Sequence, residues 1–501
     1  MSERLVVAII ADTTFPDMAA RLLGDIRKLA DLDPGFASID VLVLENPSSE
    51  PDPGATLALS VAGPRLHLIS RSSQERDIEH GRFGRLRIEP GRWPIATART
   101  LVQRHAFDHV RGTGASVWIV DEDLRLSPSF EAMARGEPSL SERIRRLRDR
   151  GVDVAIGPVL GAPPLPARST VRVNLEDLRR HLDVVAELEP KAPWPDWSAE
   201  NARVRRAFPE YYYDLTRAHE DAGAHAMWIE RAHPGEPVHA AFARLAEAVG
   251  GLLDGIPSTR ALPERPLLDS GPALLARGGN TLVLRASLLD TIPNVAPRLG
   301  GRVCRRSDML WARLCATLEG ARFAFAPILT FQDRSGPGRS SFDFDKLLDD
   351  VRGSALVSTL DDLIEHGALP GRAPLPESKL ARALRVYVTR VQERLDAIHG
   401  SEVRVRALLD DATGVLRERP GFLRHPSHAA TVERLLEQLT SLRAAYESPI
   451  EPFVPFVELA DVEQFFQGLD EEIRAFGARQ GHARDVTGTS QLPSSSRLPP
   501  R

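Results

Sequence analysis

The sequence predicts an α/β protein: a Rossmann-type, mostly parallel sheet with flanking helices, followed by an all-α C-terminal bundle. Three observations carry that expectation. Residues 5–11 (LVVAIIA) and 117–120 (VWIV) are continuous apolar runs and 39–44 (IDVLVL) is broken only by Asp40, as buried strands require. Helical patterns, not hairpin turns, separate these runs, which is the alternation of a parallel sheet. Beyond about residue 342 the strand signal gives way to helix-forming segments.

The first strand, 5–11, leads into a loop of Asp12, Thr13 and Thr14. Pro16 is pre-organised for a helix start, and Met18, Leu22, Leu23, Ile26 and Leu29 recur on one face of the helix that follows. The second strand, 39–44, ends in Glu45-Asn46-Pro47-Ser48, and residues 66–69 (LHLI) read as a third. Pro94 opens a helix that carries Arg99 and runs through His105. The strand 117–120 then runs straight into Asp121-Glu122-Asp123. Three acids ending a buried strand repel one another unless a cation or donor-rich ligand sits among them. Hard oxygen ligands at such a place suit Mg²⁺ or Mn²⁺.

Residues 141–150 form a basic helix whose arginines, alternating with Glu142 and Asp149, read as a solvated face. Residues 152–156 (VDVAI) are a further strand. A long, Pro-interrupted insertion spans about 161–268 and holds Trp194, Trp197, Tyr211, Tyr212, Tyr213, His219, Glu220 and His225; the histidines have no metal-ligand spacing. The strand signal returns at 278–285 (GGNTLVLR). Arg305-Arg306-Ser307-Asp308 then heads a helix over 309–318, with Ser307 or Asp308 suited to cap it. A strand over 323–331 ends in Gln332-Asp333.

Helices are expected at 343–351 and 356–364, a Pro/Gly-rich linker at 367–376, and amphipathic helices at 378–400, 401–418, 427–447 and 461–479. The expected division is a nucleotide-binding catalytic unit over 1–345, a helical linker over 346–376, an α-helical accessory domain over 377–480 open to partner or self-association, and a disordered tail over 481–501.

Composition bounds the function classes. Lys and Arg number 64 against 69 Asp and Glu, a net charge of −5, which excludes nucleic-acid binding through bulk charge. Two cysteines, Cys304 and Cys315, make neither a disulfide framework nor a metal site, which implies a reducing compartment. No apolar run approaches the ~20 residues that span a bilayer, so a cytoplasmic protein is expected.

Ligands of open α/β sheets bind at the carboxyl ends of the strands, and Asp12, Glu45 and Asp121 all fall there. The order of motifs over about 1–340 (LENPS, IATARTLVQ, VWIVDEDL, GGNTLVLR, RRSDMLWARL) resembles the inverting, family-2-like glycosyltransferases of the GT-A fold. The resemblance implies a nucleotide-sugar donor and Mn²⁺ or Mg²⁺. It assigns Glu45 to the nucleobase or ribose, and Asp12, Arg99 and Asn280 to the donor. Asp121 would serve ribose, sugar and metal, Asp123 the metal that bridges the pyrophosphate, and Asp308 the acceptor hydroxyl as general base. Three departures stand out. Thr100 replaces the usual Asn after Arg99, Arg306-Ser307 replaces an acid before Asp308, and Gln332 stands where a histidine ligand is usual, with Asp333 next to it as a possible third ligand.

Two other readings fit the same strand ends. One is a nucleotidyltransferase, although that class opens with a glycine-rich loop and the loop after the first strand here is Ala11-Asp12-Thr13-Thr14-Phe15. The other is a catalytically degenerate binding or scaffold protein whose helical bundle does the work. Donor sugar and acceptor are not identified by the sequence.

Overall fold

A computed structural model describes residues 2–14, 16–48, 65–84, 86, 88–157, 159–161, 171–201, 229–253, 279–325, 328–333, 344–368, 370–423, 425–447 and 459–477. Its centre is a seven-stranded sheet. In chain order its strands are β1 (Glu3–Ala11), β2 (Phe36–Glu45), β3 (Leu66–Ile69), β4 (Ser116–Asp121), β6 (Val154–Ile156), β8 (Asn280–Val283) and β11 (Phe323–Phe325). They lie in the order β11-β6-β8-β4-β1-β2-β3. Only β8 runs antiparallel to its neighbours. A small second sheet pairs β5 (Leu124–Arg125), β12 (Thr330–Gln332) and β7 (Val159–Gly161), and β9 (Arg298–Leu299) pairs β10 (Arg302–Val303).

The two-residue period of a strand divides β1 between two cores. Val6, Ala8 and Ile10 face one, and Leu5, Val7, Ile9 and Ala11 the other. On the second face lie α1 (Asp17–Leu32), α4 (Ser127–Ala134) and α5 (Leu140–Asp149), which follows α2 (Arg71–Glu79) and α3 (Ile95–Val110) in the chain. Helix α1 buries Met18, Leu22, Leu23, Ile26 and Leu29, the stripe expected from its sequence.

The first face is covered by α3, α9 (Ser307–Glu319), α10 (Phe344–Glu365), the first half of α11 (Glu377–Glu418) and α14 (Leu459–Gly477). A third, all-helical core joins α6 (Val171–Glu187) and α7 (Val238–Leu253) to the second half of α11, to α12 (Pro420–Leu423) and to α13 (Ala429–Ala445). The short helix α8 (Leu288–Thr291) precedes α9. Among the described residues no helix is long and apolar enough to cross a membrane.

Several expectations need correction. The helices expected at 378–400 and 401–418 are one helix of 42 residues, about 63 Å long at 1.5 Å per residue. Gly400 costs a helix about 1 kcal/mol relative to Ala, but burial of Ile398, Val405 and Leu409 on either side outweighs it. Likewise 343–351 and 356–364 merge into α10 across Gly353. There the glycine serves close approach: a Cβ would lie 2.0 Å from the Arg305 carbonyl oxygen. The strand expected over 323–331 is two strands in different sheets, β11 and β12. The boundary drawn after residue 345 is not a boundary in packing, because α10, α11 and α14 share one core with the sheet. Tyr211, Tyr212, Tyr213, His219, Glu220, His225 and the tail 481–501 lie outside the described residues.

Candidate functional site

Because β1, β2 and β4 are parallel, their carboxyl ends come level. Ala11 pairs with Glu45, and Ile10 with Asp121. Asp12, Glu45 and Asp121 therefore share one edge of the sheet.

Asp12 braces the loops of that edge. Its Oδ1 accepts the N–H groups of Thr14 and Ser48, both at 3.1 Å, and its Oδ2 lies 3.3 Å from Arg92 Nη1. Glu45 accepts the N–H of Arg71 at 3.2 Å. The Arg71 guanidinium stacks on Trp93, 3.5 Å from the ring centroid, a cation–π contact. Trp93 is fixed in turn by Asn46 and Gln74, to which its backbone N–H and indole N–H donate at 2.7 and 2.8 Å.

Each acid of the strand-end triplet has its own partner. Glu122 accepts the Asp12 N–H at 2.6 Å and so ties the loops after β1 and β4 together. Asp123 Oδ2 accepts from Gln332 Nε2 at 2.9 Å. Asp121 Oδ1 lies 3.4 Å from Arg99 Nη2, and the other end of the same guanidinium, Nη1, lies 3.4 Å from Asp308 Oδ2. Arg99 thus bridges the acid at the end of β4 and the acid at the head of α9, two residues 187 positions apart in the chain (308 − 121). Burial pushes the Asp121 carboxyl up to about 6; Asp123 and Asp308 add to the rise, and Arg99 opposes it. For Arg99, burial alone would lower the pKa, but the two carboxylates outweigh it and the net shift is upward. Gly279 stands over Asp121, where a Cβ would fall 2.8 Å from Oδ2 and push the carboxylate aside.

The head of α9 is held from the C-terminal side of the chain. Arg306 takes φ +69°, the left-handed region, immediately before the helix. Its Nε lies 3.0 Å from Oδ1 of Asp350 on α10, and Arg305 Nε lies 3.4 Å from the same atom. Arg305 and Arg306 thus anchor the start of α9 to α10. Asp308 Oδ1 accepts the Met309 N–H at 2.9 Å while Oδ2 faces Arg99, so the residue serves its helix and the site together.

In the small sheet, β12 pairs antiparallel with β5, and the Asp333 N–H donates to the Asp123 carbonyl at 2.7 Å. The Asp333 carboxylate is engaged by Arg21 at 2.8 Å. Asp121, Asp123 and Asp333, the ligand set expected from the sequence, do not bring three ligand atoms within 4.8 Å of one another. Gln332 turns its amide nitrogen to Asp123, while its Oε1 is buried with no hydrogen-bond partner among the described residues. The carboxylates of Asp121 and Asp123 are hard oxygen donors of the kind Mg²⁺ or Mn²⁺ takes, and Gln332 holds one of them in place.

Asn280, expected at the donor, is 1% exposed. Its Oδ1 accepts from Trp118 Nε1 at 2.8 Å and its Nδ2 donates to the Ile328 carbonyl at 2.7 Å, so it fastens β8 to β4 and to the segment before β12. Arg99 and Asp308 also line a narrow cleft of about 20 Å³, with Asn294, Trp311 and Phe323. Sequence reading missed Arg71, Trp93, Arg92 and Asp350; Asn46 and Trp93, near the ends of β2 and of the loop before α3, were the only local signal. Neither a protein-family model nor a curated protein matches the chain.

Proposed function

We propose that the carboxyl edge of the sheet binds a nucleotide-diphosphate sugar and transfers its sugar to an acceptor hydroxyl with inversion. One observation carries the reading: Arg99 links Asp121, at the end of a parallel strand, to Asp308, at the head of a helix beside it. A carboxylate at each end of one guanidinium supplies one group for the donor side and one for the acceptor side, held at fixed separation.

In this reading Asp121 and Asp123 would hold Mn²⁺ or Mg²⁺, with Gln332 positioning the Asp123 carboxylate. A bound divalent cation supplies Lewis-acid neutralisation of the charge that grows on a departing diphosphate. Glu45, next to the Arg71–Trp93 stack, orients the nucleoside end. Asp308 takes the acceptor's proton as its oxygen forms the new bond to the anomeric carbon. The old bond breaks with its electron pair going to the nucleoside diphosphate. Arg99 restrains Asp308 and balances its charge until the acceptor is in place.

The test is a thermal-shift screen of the full chain against UDP-, GDP- and CDP-sugars, with and without Mn²⁺. A metal-dependent shift with at least one nucleotide sugar is expected, and no shift with any of them would sink the reading.

A further inference from the structure

Asp40, His67 and His109 come from three different elements, β2, β3 and the last turn of α3. Residue 67 pairs with Leu42, two positions beyond Asp40, so both side chains rise from the same face of the sheet toward α3. One ligand atom from each of the three residues lies within 4.8 Å of the other two, the only such trio of His, Cys, Asp or Glu among the described residues. It stands away from the candidate donor site, level with the middle of β1 and β2. Asp40 precedes Glu45 by five residues, about 17 Å of extended chain.

We propose that Asp40, His67 and His109 form a second, independent binding site for a transition-metal ion of the Zn²⁺, Co²⁺ or Ni²⁺ type. The distances match that chemistry. Two ligands about 2.0–2.1 Å from zinc and at the tetrahedral angle stand about 3.4 Å apart. Asp40 Oδ2 and His109 Nε2 are 3.5 Å apart. The rings of His67 and His109 meet edge-on with centroids at 4.6 Å, which lets both turn a nitrogen to a common point. Two imidazoles and one carboxylate select a borderline metal over Mg²⁺ or Ca²⁺, which take oxygen ligands.

The surroundings match as well. Asp40 Oδ1, the oxygen turned away from His109, lies 3.8 Å from Arg65 Nη1. One oxygen of the carboxylate is thus left to the metal, while the other meets a cation that balances and orients it. Asp40 and His109 also line an open pocket of about 300 Å³, with Arg4, Ser38, Arg65 and Thr113. Three protein ligands beside an open space leave room for a fourth, exchangeable ligand, as catalytic rather than structural zinc sites do.

The test is titration of the untagged full chain with Co²⁺, followed by visible absorption, and then competition with Zn²⁺. A saturable one-to-one signal displaced by Zn²⁺ is expected. His67→Ala and Asp40→Asn should each weaken binding at least about tenfold, the scale on which even a group that only orients a ligand matters. His67 is exposed, so its variant should melt as the wild type does and keep the comparison clean. Asp123→Asn should leave the signal unchanged, which separates this site from the donor edge. No saturable binding, binding that survives His67→Ala and Asp40→Asn, or binding lost in Asp123→Asn would each overturn the proposal.

Discussion

Asp350 Oδ1 lies 3.0 Å from Arg306 Nε, and the Asp350 side chain is completely buried. Burial would push this carboxyl up, yet Arg306 and Arg305 beside it hold it below the usual carboxylate range. Its folded-state pKa is depressed, so its contribution is present above the unfolded value and is lost as pH falls through the folded one. Removing one member of a buried pair costs about 3–5 kcal/mol, because the other charge stays behind. Asp350→Ala should therefore lower stability by that order in urea denaturation at pH 7. It should also reduce sugar transfer, because the loop that aims Asp308 loses its anchor. Unchanged stability would mean that the pair is not the anchor inferred for α9.

Asp121 gives the opposite pH dependence. Its carboxyl, pushed up to about 6, sits above the unfolded value of about 3.9. Its contribution is fully present below the unfolded value and is lost as pH rises through about 6. The side chain keeps 30% exposure, so solvent tempers the effect. Asp121→Asn should therefore be more stable relative to wild type at pH 7 than at pH 4, by chemical denaturation at the two values. A divalent cation favours the charged carboxylate, so Mn²⁺-dependent nucleotide affinity should fall as pH drops below about 6. Calorimetry at pH 5 and pH 7.5 measures this directly.

Asp308→Asn separates the two services of that side chain. Asn keeps an oxygen for the Met309 N–H, so melting should stay near wild type. Loss of the proton acceptor should lower transfer by roughly 10²–10⁴-fold, while donor binding persists. Rates within a few-fold of wild type would remove Asp308 from the chemistry.

A chain ending near residue 369 tests whether the C-terminal helices are separable. The truncation strips Leu380, Ala383, Tyr387, Val391, Ile398, Val462, Phe466, Leu469 and Ile473 from the core that covers one face of the sheet. Each large apolar side chain contributes about 1.5–3 kcal/mol by burial. The sum exceeds the roughly 5–15 kcal/mol of net stability typical of a folded protein. The shortened chain should be insoluble or lack cooperative melting by circular dichroism. A soluble fragment that melts cooperatively would restore the boundary at 345.

What the sequence made legible was local. Apolar runs reported β1, β2 and β4, and the acids that follow them marked the edge, because a strand and its end are written within a dozen residues. Relationships across the chain left no such mark. The Arg99 bridge, the Asp350 anchor on a segment read as linker, and the meeting of Asp40, His67 and His109 all depend on topology that spacing does not encode. Glycine also misled. Gly353 and Gly400 read as helix ends, yet one permits close packing and the other is tolerated inside a long, well-buried helix.

The third core couples two stretches that lie far apart in the chain. Helices α6 and α7 arise from the stretch that interrupts the sheet, whereas α13 and the far half of α11 arise after it, and the two sets bury one another. Neither set has a covered apolar face without the other. Removing either set would expose apolar residues of the other to water, so the two stretches are expected to fold and unfold together.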